Sequence, residues 1–259
     1  MKTAGIYDLF LSEIFKVRKS KVIYVLMLFP LVITVYVGIK LNDSCNDPDF
    51  APFFWQRLVQ LIFGFYQLLY PLIVPLVVSI FFSMELKNNN IYRLFLFPVS
   101  RIKIFITKIL VLSLYIVGSL LLAYSVLIIS GNVLSALHPD LEINTYDMRH
   151  YINLLFLRSF VHVIAIMFIQ FFLSMVFDGI ALPMSFAMMC TIVCFVASKW
   201  KFRFLLPYSG LSTAFEKFFS QDLRFLSLDI VVGIIWTILF CAISAFMFCK
   251  LNFTKKQGE

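Results

Sequence analysis

Charge is what this sequence has little of. Acidic and basic side chains make up 14% of its 259 residues, against roughly 25% in a soluble globular domain, which excludes an ordinary water-soluble enzyme. With 61% hydrophobic residues it is no disordered chain either, since disorder needs low hydrophobicity and dense charge. Glycine is down to nine residues, none followed by lysine, so the phosphate-binding G-x-x-x-x-G-K-[ST] loop is absent. H-E-x-x-H and adjacent glutamates are missing too, which removes the ligand patterns of a metal-dependent intramembrane protease. The five cysteines form no disulfide framework: Cys190, Cys194, Cys241 and Cys249 fall in or at the end of apolar runs, and Cys45 stands alone in a polar loop.

Long apolar runs are what is there. Six, at 22–39, 58–83, 104–130, 153–177, 181–198 and 229–249, reach the length of a membrane-spanning helix, about 20 residues. Lys108, Arg158 and Asp229 are the charged residues inside them. Because backbone polar groups in lipid must be paired within the segment, and the runs lack the alternation of barrel strands, the expected fold is an all-α integral membrane protein. It forms a single domain over 1–259 with six transmembrane helices. No small-residue cleavage site follows the first run, so no removable leader is expected.

The net charge of +8 does not imply nucleic acid, which needs basic residues clustered on a solvated face. Here they orient the spans. Segments 1–21, 84–103 and the tail from 250 hold twelve Lys and Arg, and the opposite side holds eight. The richer side is cytoplasmic by the positive-inside rule, which puts both termini inside the plasma membrane. The exception is 199–228, with five basic residues on the outer side.

Two surface helices complete the pattern. Residues 1–21 read as an amphipathic elbow helix, with Asp8, Ser12 and Lys16 on one side and Ile6, Phe10, Ile14 and Val17 on the other. Segment 199–228 reads as an outer re-entrant helix, opened by a capping box at Thr213 and Glu216, with Phe215, Phe218, Phe219, Leu223 and Leu226 at helical spacing. Arg158 and His162 form the polar pair at depth, one turn apart. Arg158 is about 8 Å from the outer end at 1.5 Å per residue, close enough to snorkel out, while His162, Phe215 and Phe219 are candidates for a pathway or outer gate.

The loop 84–103 carries a mechanism. A short helix over 90–97, ended by Pro98, displays Leu94, Phe95, Leu96 and Phe97 at the cytoplasmic face, and Ser100 is placed to cap the following helix. Apolar side chains flanked by Arg93, Arg101 and Lys103 suit a groove on a cytosolic partner.

On these residues the chain resembles the membrane subunits of type-2 ABC exporters, and among them the small six-span permeases of lantibiotic and bacitracin immunity. The likeness rests on Glu85 at the inner end of the second span, the 90–97 helix, the turn Pro98-Val99-Ser100-Arg101, and the basic Lys103 and Lys108. It extends to the leader Glu13–Ser20 and the outer segment 205–226. Asn88, Asn89, Asn90 and Arg93 depart from the pattern, where relatives often carry glycine and a second acidic residue. The resemblance implies ATPase coupling through Glu85, Ile91, Leu94, Phe95, Phe97, Pro98, Ser100 and Arg101. It also implies ATP and Mg on a separate cytoplasmic ABC ATPase subunit, a second permease copy or a paralogous permease, and an amphipathic peptide or other hydrophobic substrate. A non-transporting membrane adaptor or sensor is the alternative reading, and an intramembrane protease a weaker one.

Overall fold

The computed structural model describes residues 6–18, 21–45, 48–86, 99–146, 148–177, 179–224 and 226–250. Among them the chain is all-α, with no strand. Six helices are long and apolar enough to cross a membrane, which makes this a multi-pass membrane protein. In chain order the helices are α1 Ile6–Arg18, α2 Val22–Ser44, α3 Phe54–Leu86, α4 Arg101–Leu137, α5 Arg149–Val176, α6 Ala181–Val196, α7 Gly210–Phe219 and α8 Leu228–Lys250. α3 and α4 run well past their apolar windows, because backbone hydrogen bonding continues where hydropathy falls.

α5 is the centre of the bundle. It packs against α3, α7 and α8, and 72% of its most apolar stretch is buried, against 17% for α8. Most of the surface of α8 is therefore left uncovered by the rest of the chain. Edge-on rings fill the interior between α3, α4 and α5, with Phe171 at 5.2 Å from Phe82 and 5.7 Å from Phe105. Such pairs contribute about 1 kcal/mol each beyond their area.

Hydrogen bonds hold the spans in register where apolar packing gives no direction. Pro30 lies inside α2 and has no N–H, which frees the carbonyl of Leu26 four residues earlier. Ser119 of α4 donates to that oxygen at 2.9 Å, and Tyr70 of α3 lies 3.1 Å from the same hydroxyl. A second set joins α3 to α5: Gln170 Nε2 donates to Ser79 Oγ at 2.9 Å, and Ser79 lies 3.3 Å from Ser174.

The chain between α6 and α8 doubles back along α5. Its contacts run from Gln170, which accepts the Tyr208 hydroxyl at 3.3 Å, through His162 against Gly210, to Arg158 against Asp222 and Arg224. Descent to Tyr208 is by three short 3-10 turns, at Ala197–Lys199, Arg203–Leu205 and Pro207–Ser209, and α7 climbs back antiparallel to α5. The helix begins at Gly210 rather than Thr213, so the expected capping box does not form. Thr213 donates instead to the Ser209 carbonyl at 3.0 Å, and Glu216 pairs with Arg203. α7 ends at Phe219, leaving Leu223 and Leu226 beyond it and exposed.

Candidate functional site

Two polar centres stand at opposite ends of the bundle. At the end that holds α1 and the last turn of α8, Lys108 of α4 is fully buried and reaches Glu13 of α1 at 3.1 Å. Lys16 reaches the same carboxylate at 2.8 Å, and the Lys108 ammonium also lies 5.5 Å over the Phe81 ring. Burial pushes the Glu13 carboxyl up, yet Lys108 and Lys16 together outweigh it and hold it below its ordinary value. Phe10, Ile14 and Val17 of α1 pack on the core while Asp8 and Ser12 face out. The cation in the third span thus takes its counter-ion from the leader helix.

Of the residues expected to couple to a partner, Ser100 and Arg101 have described side chains, at the start of α4 about two turns before Lys108. Glu85 lies in the last turn of α3, and its side chain lies outside the described residues, as do Ile91, Leu94, Phe95, Phe97 and Pro98. Ser100 stands at the N-cap position of α4 but its exposed side chain makes no capping hydrogen bond; the carbonyl oxygen accepts from Lys103 N at 3.0 Å instead. Arg101 reaches across to α8: its Nη1 donates to the Cys249 carbonyl oxygen at 2.9 Å, in the last turn of that helix. One residue that the sequence placed in a docking surface therefore also ties two spans together.

At the other end, Arg158 does not snorkel to the surface. It is fully buried, and its guanidinium donates to the carbonyl oxygens of Asp222 at 2.9 Å and Arg224 at 2.7 Å, which the returning chain supplies before the side chain can reach water. His162 lies one turn further in, with Nε2 at 3.6 Å from Asp229 Oδ2, and Lys217 of α7 pairs with the same carboxylate. A methyl group on Gly210 would lie within 2.2 Å of the imidazole, so only glycine lets α7 approach this closely. Outside the spans, hydrogen bonds from the Arg224 side chain and backbone hold the Asp222 carboxyl down at about 2.

Of the expected gate residues, Phe215 stacks on Phe63 of α3 at 5.7 Å, and Phe219 meets Phe215 edge-on at 4.9 Å. His162 belongs to the ionic cluster instead. Glu13, Lys217 and Gln170 were missed in the sequence. A lone lysine inside an apolar run was the one available signal, since a buried cation demands a counter-ion.

Residues 9–194 match the family model of the ABC-2 family transporter protein. The chain belongs to the ABC-2 transporter family. No curated protein matches the chain, and no solved structure does. The ABC-2 match takes in α1 through nearly all of α6, so the Glu13–Lys108 pair lies wholly inside it. Arg158 and His162 are in the matched part, whereas their partners on the returning chain and α8 lie beyond it. An ABC-2 membrane domain is the permease component of a transporter and is not itself catalytic.

Proposed function

We propose that this ABC-2 protein is the permease subunit of an ATP-driven exporter in the plasma membrane, with both termini cytoplasmic, and that it expels a membrane-active peptide such as a lantibiotic or bacteriocin. ATP and Mg are handled by a separate ABC ATPase, consistent with a chain that has no phosphate-binding loop. A second permease, identical or paralogous, completes the path.

The observation that carries the reading is the anchorage of α4. Segment 84–103 ends on the first turn of α4, where Arg101 holds α8, and about two turns further along Lys108 holds α1. A push on segment 90–97 from a closing ATPase would thereby be delivered to three helices at once. The buried polar contacts are discrete, and packed interiors switch between arrangements rather than deform smoothly. At the opposite end α7 and the ring pair Phe215–Phe219 are the elements that open. The peptide substrate follows from the immunity-permease resemblance. It is supported by a 410 Å³ groove between α4 and α5 that is apolar except near Tyr124, which donates to Asn153 at 2.7 Å.

Cysteines placed at Leu94 and Phe97 test the reading. Crosslinks from them to a P-loop ATPase subunit are the expected result, together with peptide tolerance that is lost when the ATPase is inactivated. Crosslinks that never reach an ATPase would leave the adaptor or sensor reading in its place.

A further inference from the structure

A cavity of 560 Å³ opens at the end of the bundle away from α1, between the returning chain and the start of α8. Four of the five basic residues of segment 199–228 line it: Lys201, Arg203, Lys217 and Arg224. Positive charge on this side runs against the asymmetry that orients the spans and so needs a local reason. Carboxylates account for three of the four, because Arg203 pairs with Glu216, Lys217 with Asp229, and Arg224 with Asp222. Among the described residues Lys201 has no carboxylate partner. Its ammonium lies 5.9 Å over the Phe202 ring, and the lining is left with one net positive charge.

The rim has the opposite character. Trp200 is 50% exposed, Leu226 75% and Leu228 71%, all three lining the mouth of the cavity. Exposed apolar side chains beside a charged pocket are at ease only where water meets hydrocarbon, the level at which tryptophan collects and lysine snorkels. An occupant matching both parts has one negative charge in its head and an apolar body beside the rim. Free anions lack the body, and neutral diacylglycerols lack the charge.

We propose that this cavity binds the phosphodiester head of an anionic glycerophospholipid in the leaflet opposite α1, with Lys201 as the principal contact and the acyl chains against Trp200, Leu226 and Leu228. Charge-assisted hydrogen bonds from a basic pocket to phosphate oxygens supply the attraction. A bound lipid would add to the ties between the returning chain and α8 that Lys217–Asp229 and the Trp236–Leu205 hydrogen bond already make. The inference needs the six spans but not the transport of any substrate.

The test uses the full chain in maltoside micelles, with bound lipid counted by native mass spectrometry. Dioleoyl phosphatidylglycerol is expected to be retained by the wild type, bound about tenfold more weakly by Lys201→Glu, and restored by Lys201→Arg. Dioleoylglycerol, with the same chains and no phosphate, is expected not to bind, and excess inorganic phosphate is expected not to displace the phospholipid. Unchanged affinity in Lys201→Glu overturns the proposal. So does equal retention of dioleoylglycerol, which would mean apolar contact alone, or displacement by inorganic phosphate, which would mean a bare anion site. Peptide tolerance of cells carrying the same variants is read separately, so loss of the export reading and loss of the lipid site give different results.

Discussion

Arg101 and Cys249 are joined at 2.9 Å although 148 residues separate them, the guanidinium of the first turn of α4 donating to a carbonyl oxygen of the last turn of α8. The carbonyls at a helix C-terminus have no partner within the helix, and a cation there satisfies both the oxygen and the dipole. Arg101→Ala is expected to lower peptide tolerance with membrane abundance unchanged. Arg101→Lys, which keeps the charge but not the planar fork, is expected to restore only part of it. Tolerance assays paired with immunoblots of membrane fractions decide; full tolerance in Arg101→Ala would remove this contact from the mechanism.

Glu13 and Lys108 make the second long-range tie, across 95 residues. Removing one partner of a buried pair leaves a charge without compensation and costs about 3–5 kcal/mol, so Glu13→Gln is expected to lower the unfolding temperature in detergent clearly. Charge exchange in Glu13→Lys with Lys108→Glu is expected to recover part of the loss. The pH dependence has a definite sign. A carboxyl whose folded pKa is depressed contributes fully above its ordinary value of 4.5 and loses that contribution as pH falls through the lower folded value. The stability gap between wild type and Glu13→Gln is therefore expected to be constant near neutral pH and to shrink on acidification below 4.5. A gap that widened in acid would contradict the pairing.

Gly210 gives a steric prediction. Its added methyl group would overlap the His162 ring, and overpacking of this kind costs about 1–3 kcal/mol. Gly210→Ala is expected to destabilise the protein, and to do so less when His162→Ala is already present. Additive losses in the double variant would show that α7 and α5 do not meet there.

Ser119 offers a test of the proline repair in α2. Ser119→Ala is expected to cost about 1–3 kcal/mol by stranding the Leu26 carbonyl. Restoring the backbone donor with Pro30→Ala should make the same substitution cheaper. Thermal unfolding of the four proteins closes the cycle, and equal costs in both backgrounds would refute the link.

Much of the architecture was legible before the fold was seen, because it depends on local quantities. An apolar run long enough to span, and the separation of polar from apolar residues in 6–18, are properties of neighbours in the chain. The outer segment was less legible. Thr213 and Glu216 have the spacing of a capping box, yet the helix starts three residues earlier, because Glu216 finds Arg203 and Thr213 finds the Ser209 carbonyl. Arg158 was expected to seek water and instead binds carbonyls of a chain that returns to it.

The sequence by itself determined that this is a six-span helical membrane protein without a nucleotide-binding loop, since hydropathy and motif are written locally. Only the tertiary structure decided which charges meet. Lys108 takes its counter-ion from Glu13, Arg101 holds Cys249, and Lys217 and His162 share Asp229. Each of those pairings depends on how helices pack side by side, and in a low-dielectric interior every buried charge must find whatever partner that packing brings within reach.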